Sequence, residues 1–325
     1  MATDEWTVLL PERIHPAGPE SIADIATTVR RDEYDDRAAL LADADRFDAV
    51  ITRTKPIDGE FIETATDLEI VSKHGVGYDN VDVDAATENG VLVSNTPGVN
   101  SRAVAEHAIT LLLAVRRRLR PADAAVRAGN ADDYDVLTDE FRRDTVGLYG
   151  CGDIGFEVAS LASGLDMDCC VYDPYVDPAD LPAHVAAVDS PAALFDRADA
   201  VSIHAPLTAE TRNAIGEAEL RRLSPSGILV NTARAEIVDR DALVAVLESD
   251  AIAGAGIDVF AAEPPSPSHP LLEYDNVVTT PHVGARTTEA LAAMSRESAA
   301  NVRTAYDGAV PETTINADEL PSTHG

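Results

Sequence analysis

Three polar residues of this chain stand just beyond strand-like apolar runs: Arg234 in Asn-Thr-Ala-Arg, Glu263 in Asp-Val-Phe-Ala-Ala-Glu-Pro, and His282 in Thr-Thr-Pro-His-Val-Gly. An imidazole changes charge near neutral pH and can pass a proton. A guanidinium clamps a carboxylate with planar, two-pronged donors. Such residues at the carboxyl ends of parallel strands lie where open α/β sheets hold ligands.

Upstream, Gly150-Cys-Gly-Asp-Ile-Gly155 has G-x-G-x-x-G spacing, a weak signal alone. Its context strengthens it: the motif follows the apolar run 145–149, opens a helix-like stretch, and precedes a second strand that ends at Tyr172 before Asp173. That is a complete βαβ unit. Gly150 permits the tight turn, Gly152 lets the backbone approach a pyrophosphate, and Gly155 lets helix and strand pack closely. The helix N-terminus then favours phosphate charge. Asp173 would accept hydrogen bonds from ribose hydroxyls and repel a 2′-phosphate, with no arginine or lysine directly after it as an offset. The expected cofactor is NAD, with NADP disfavoured.

The elements that must position these groups alternate. Strand-like runs at 7–10, 48–52 and 68–72 are interleaved with a helix-like segment from Glu20 and a helix near 60–65. A second series runs through 145–149, 168–172, 200–204, 227–231, 253–259 and 277–279, with helical stretches such as 242–248 between its members. Alternation implies parallel α/β layering. Between the series, residues 101–118 read as one long interdomain helix after the stop signal Asn95, Thr96, Pro97 and Gly98. Residues 287–306 read as a helix too short for a domain, able to return to the first one. Residues 121–144, rich in Asp and Arg, read as a surface excursion of underivable packing.

Composition narrows the function classes. The 325 residues hold 57 acidic and 25 basic side chains, a net charge of −32, which excludes nucleic acid as an expected partner. Lys55 and Lys73 are the only lysines. An acidic, lysine-poor surface fits a halophile, because at ~1 M salt the Debye length is about 3 Å and carboxylate repulsion is screened. Cys151, Cys169 and Cys170 offer neither an even disulfide framework nor a metal-ligand pattern, so no metal is expected and the compartment reads as reducing. The N-terminus lacks a leader pattern and no apolar stretch reaches membrane length, so the expected location is the cytoplasm.

The quoted motifs, with Gly75-Val-Gly-Tyr-Asp-Asn-Val-Asp82, Ala105-Glu-His107, His204-Ala-Pro-Leu-Thr208 and Asp258-Val-Phe260, together resemble the NAD-dependent D-2-hydroxyacid dehydrogenases over nearly the whole length. That family includes phosphoglycerate dehydrogenase and hydroxypyruvate reductase. The resemblance implies two doubly wound parallel-sheet α/β domains: a discontinuous flavodoxin-like substrate domain, 1–98 plus 285–325, and a Rossmann nucleotide-binding domain, 99–284. It places the catalytic groups on Arg234, Glu263 and His282. It extends the cofactor seat to Val104, Asp153, Ile154, His204, Ala205, Pro206, Thr211, Thr232, Ala233, Asp258, His282 and Gly284, with Asp258 on the nicotinamide amide. The backbone of Val76 and Gly77 would hold the substrate carboxylate, together with Arg234 and His282. The implied assembly is a homodimer, with 121–144 as an arm.

Reduction of a 2-keto acid needs a hydride at the carbonyl carbon and a proton at its oxygen, and a histidine kept protonated by Glu263 supplies the proton. Two departures stand out. Ala235 replaces the family's usual glycine after its arginine, and Arg143-Asp144 replaces Gly-Lys before the first nucleotide-domain strand. Arg53 and Lys73 match basic residues of phosphoglycerate dehydrogenases, so 3-phosphoglycerate is one expected substrate; hydroxypyruvate, glyoxylate and broader 2-keto acids are alternatives. With the chain read as ending at 325, a serine-inhibited long form is not expected. Glu263 disfavours formate dehydrogenase, which has glutamine there. A corepressor-like NAD sensor is the alternative of another class.

Overall fold

The computed structural model describes residues 5–320. The chain divides into two compact units, Met1–Asn100 with Thr287–Gly325 and Ser101–Arg286. These divisions fall two residues beyond the expected 98/99 and 284/285.

In the first unit, β1 (Trp6–Leu10), β2 (Ala26–Arg30), β3 (Ala49–Thr52), β4 (Ile70–Lys73) and β5 (Leu92–Ser94) form a parallel sheet of order β2-β1-β3-β4-β5. This is the flavodoxin-like order. β3 and β4 are buried at every position, as strands covered on both faces must be. One face packs on Phe47, Phe61 and Ile62, the other on Ile22 and on Ala299 and Val302 of the helix Thr288–Tyr306. Asp58, Asp82 and Thr287 cap their helices by accepting hydrogen bonds from Phe61, Ala85 and Ala290 N–H, each contributing about 1 kcal/mol.

The helix-like segment expected from Glu20 is corrected. The helix is Ala17–Ser21, and the chain then turns into β2, whose Thr27, Thr28 and Val29 suit extended backbone and pair with β1. The short β5 and the helices Arg37–Leu41 and Val83–Glu88 were not anticipated.

In the second unit, β6 (Thr145–Tyr149), β7 (Asp168–Tyr172), β8 (Val185–Ala187), β9 (Ala200–Ile203), β10 (Ile228–Asn231), β11 (Gly254–Ile257) and β12 (Val277–Thr279) form a parallel sheet of order β12-β11-β10-β9-β6-β7-β8. The chain runs outward from β6 in both directions, which creates a topological switch point between β6 and β9. The helix Ser101–Arg116 packs against β10, β11 and the helix Asp153–Ser163. It buries Ala105, Ala108, Leu111, Leu112 and Val115, and a fully buried leucine or valine is worth roughly 1.5–3 kcal/mol. The helix stops short of residue 118, where Arg118 turns to φ 47°.

Residues 121–144 form the expected surface excursion, exposed or half-buried throughout apart from Phe141. They continue a helix, Leu119–Arg127, and return through Phe141, which is buried with the Arg116 guanidinium 4.5 Å from its ring centroid. Leu137, in contrast, is 95% exposed. Among the described residues, no helix is long and apolar enough to cross a membrane.

Candidate active site

Every polar group singled out in the second unit follows a strand end. Gly150 comes directly after β6, Asp173 after β7, His204 after β9 and Asp258 after β11; Arg234 lies beyond β10 and His282 beyond β12. Parallel pairing therefore brings sequence-distant residues to one edge of the sheet.

Gly150 sits at φ 92°, and a Cβ there would lie 2.5 Å from the Ala205 amide nitrogen, so the turn at the switch point admits only glycine. Around Gly152, in contrast, a Cβ would meet nothing within 4 Å, which leaves a cradle open above the first turn of Asp153–Ser163. Gly155 is buried against the Gly150 carbonyl. Asp173 accepts hydrogen bonds from the Cys151 and Tyr175 N–H groups at 2.8 and 2.9 Å, one on each oxygen, so each oxygen retains acceptor capacity. Among the described residues, Thr232 Oγ1 is buried without a hydrogen-bond partner. The open cradle, the anion-favouring helix start and an orphaned hydroxyl together fit a dinucleotide.

Other expected cofactor residues are committed locally. Thr211 donates to the Pro206 carbonyl and accepts from Thr208 N–H, closing its own loop. Ala233 N–H donates to Asn231 Oδ1. His204 bonds Ser202 Oγ through Nε2 at 2.8 Å, and burial pushes its pKa down to about 4, so the ring is neutral.

The catalytic candidates meet where expected of a proton-transfer pair. His282 Nδ1 lies 2.8 Å from Glu263 Oε2, while Glu263 Oε1 accepts from Phe260 N–H. Burial raises the Glu263 pKa, but the hydrogen bonds from His282 and Phe260 and the imidazolium charge outweigh it, and the carboxyl is held below its usual range. With Nδ1 used, Nε2 is the nitrogen able to reach a substrate. His282 itself adopts φ 52°, a left-handed conformation costing about 1–3 kcal/mol that its surroundings must enforce. Arg234 is carried on a turn braced by Asn231, whose amide donates to the Arg234 carbonyl at 2.8 Å. Ala235 opens a 3-10 turn and is absent from the positive-φ residues, so its methyl introduces no left-handed strain. Arg143, where the family has glycine, does sit at φ 70°.

In the first unit, the loop after β4 presents backbone. Gly75 adopts φ 146° and exchanges bonds with Thr96: its N–H donates to Thr96 Oγ1 and its carbonyl accepts from Thr96 N–H. Asn95 Nδ2 donates to the Val76 carbonyl. Among the described residues, the Val76 and Gly77 N–H groups have no hydrogen-bond acceptor. Lys73 is buried and its ammonium donates to the Arg53 carbonyl, so its charge is tied to the neighbouring loop. Glu12 braces that loop by accepting from Arg53, Thr54 and Lys55 N–H.

Sequence reasoning gave no role to Asn231, Thr280, His107, Glu12 or Thr96. Their signal was a polar residue at or near the end of an apolar strand or inside an apolar helix, which marks a hydrogen-bonding duty without naming its partner.

Residues 109–284 match the model of the D-isomer specific 2-hydroxyacid dehydrogenase, NAD binding domain. The chain is 36% identical over 313 residues to a glyoxylate reductase of Thermofilum pendens, covering 91% of this chain and 89% of that one. It is 38% identical over 255 residues to the D-3-phosphoglycerate dehydrogenase of Archaeoglobus fulgidus, covering 78% of this chain but 48% of that one; it thus spans about half the length of that relative. Among solved structures, an NADPH-dependent glyoxylate/hydroxypyruvate reductase of Sinorhizobium meliloti, in complex with NADP and malonate, superposes with a TM-score of 0.86 at 31% identity, covering 98% of both chains. The chain belongs to the D-isomer specific 2-hydroxyacid dehydrogenase family, a family of oxidoreductases, and its second unit carries the NAD-binding domain.

Proposed function

We propose that this chain reduces a small 2-keto acid to the D-2-hydroxy acid, with glyoxylate or hydroxypyruvate as the favoured substrate class and NADH as the favoured reductant. The observation that carries this reading is the 2.8 Å His282–Glu263 bond, which orients an imidazole with Nε2 outward. A bound nicotinamide supplies the hydride. Gly150, Gly152, Gly155, Asp153 and Ile154 hold its pyrophosphate, Asp173 its ribose, and Val104, His204, Ala205, Pro206, Thr211, Thr232, Ala233, Asp258 and Gly284 shape the remaining seat. His282 gives the proton to the keto oxygen, Glu263 aligns that ring through Nδ1, and Arg234 clamps the carboxylate and polarises the carbonyl. Within the first unit, the N–H groups of Val76 and Gly77, which have no hydrogen-bond acceptor among the described residues, suit a carboxylate.

Glyoxylate and hydroxypyruvate are favoured because Lys73 is buried and engaged. A second reading, 3-phosphohydroxypyruvate, is supported by Arg53 beside Lys73. We further infer an enzyme of high-salt conditions from the charge of −32, a cytoplasmic location from the three free cysteines, and a homodimer joined through the 121–144 arm, which exposes Val126, Val136 and Leu137. Steady-state assays in multi-molar KCl, pairing NADH and NADPH with glyoxylate, hydroxypyruvate, phosphohydroxypyruvate and pyruvate, test the reading. Turnover with NADH exceeding that with NADPH, and requiring salt, is expected. Reduction of none of these acids, with NADH bound all the same, would favour the sensor reading.

A further inference from the structure

Behind the loop that carries His282 lies a hydrogen-bonded chain to which the reaction as described assigns no work. His107, on the helix Ser101–Arg116, places Nε2 2.9 Å from Thr280 Oγ1 and 3.3 Å from Asp258 Oδ1, and Thr280 Oγ1 lies 2.5 Å from Asp258 Oδ1. Asp258 is almost fully buried. Its Oδ1 also accepts from Val283 N–H and its Oδ2 from Gly284 N–H, both at 2.9 Å, while its backbone carbonyl accepts from His282 N–H at 2.8 Å. One residue therefore grips three successive amides of the catalytic loop.

Proton bookkeeping fixes the direction of the chain. A carboxylate only accepts, so the single Thr280 hydroxyl proton points to Asp258; Thr280 Oγ1 can then only accept from His107, which requires the proton on Nε2. Burial raises the Asp258 pKa, yet the bonds from His107, Thr280 and the two amides outweigh it, so the carboxyl is held below its usual range and stays charged. Space is equally determined: a Cβ on Gly284 would come within 3.1 Å of Asp258 Oδ2 and 3.6 Å of His107 Cδ2. The grip is what a histidine at φ 52° needs in order to remain in that conformation.

We propose that His107 and Thr280 are positioning residues for proton transfer: an ordered His107→Thr280→Asp258 chain fixes the Asp258 carboxylate, and Asp258 fixes the left-handed backbone of His282. The proposal rests on His282 being the proton donor. Its reach differs from that of a packing contact, because it requires the Thr280 hydroxyl rather than the volume of the side chain.

The test compares Thr280→Val, which keeps volume and loses the hydroxyl, with Thr280→Ser, which keeps the hydroxyl. Hydrogen exchange of the peptide covering 281–286 is measured in the cofactor-free chain, and kcat and KM are measured with the best 2-keto acid. Thr280→Val should speed exchange in that peptide by about tenfold or more and lower kcat about ten- to hundredfold while KM for the keto acid moves less than about threefold. Thr280→Ser should restore both to near the native values. His107→Phe should act in the same direction as Thr280→Val, with His107→Gln, which retains an N–H donor, milder; this pair stands in if Thr280→Val does not fold. Native exchange and kcat in Thr280→Val, or equal damage from Val and Ser, would overturn the proposal. If the native chain reduces no 2-keto acid, the functional reading fails, while the exchange data still decide whether the chain grips the loop.

Discussion

The loop at 74–78 in the first unit and the loop at 280–284 in the second expose opposite parts of the polypeptide. In the first, the backbone N–H groups of Val76 and Gly77 are presented while side chains, Thr96 Oγ1 and Asn95 Nδ2, brace them. In the second, a side chain, His282, is presented while buried Asp258 braces the backbone beneath it. Backbone amides suffice for a carboxylate, which needs fixed partial charge and no proton movement. Proton transfer needs a titratable group, and that group needs an enforced orientation. On the proposed roles, the difference explains why the 280–284 loop is more heavily tethered than the 74–78 loop.

That contrast breaks first at His282. His282→Gln should lower kcat by about 10²–10⁴-fold with NADH affinity retained, measured by stopped-flow reduction and fluorescence titration. Glu263→Gln should cost less, about 10–100-fold in kcat at neutral pH, because the ring persists but its charged partner is gone. Burial raises the Glu263 pKa, but hydrogen bonds outweigh it and the net folded-state value is lowered. The benefit of ionised Glu263 is thus fully present above the ordinary carboxylate value and is lost as pH falls through the lowered folded value. A pH profile should accordingly show the native and Glu263→Gln rates converging at the acid end.

At the other loop, Thr96→Val should raise KM for the keto acid by about 3–10-fold with kcat changed much less, since it loosens Gly75 without touching the proton donor. A large kcat loss there would erase the distinction between the loops. The smallest effect lies outside both: Arg143→Gly relieves a left-handed arginine and should stabilise the chain by about 0.5–1 kcal/mol in denaturant titrations at high KCl, with kinetics unchanged.

The positions of β6 and β9 could be read from local runs, because parallel strands buried on both faces are short, continuous and apolar. β2 could not: its Ala-Thr-Thr-Val-Arg carries a mixed pattern, and pairing with β1 settled it. The motifs that carry Arg234, Glu263 and His282 could be singled out in the sequence because each is contiguous. Asn231 stood within one of those motifs without a legible task, since its partner is a carbonyl in the turn it braces.

The sequence by itself determined the βαβ glycine turn, the acid at Asp173, the family motifs and the excess of carboxylate charge, all of which are local or additive properties of the chain. Only the tertiary structure decided that Ala235 carries no left-handed strain whereas Arg143 does, that Lys73 is buried and engaged, and that His107 reaches Thr280 across 173 residues of chain. Such facts depend on which strand ends and helix faces are packed side by side, and a hydrogen bond between distant residues exists only once that packing has excluded water as the competing partner.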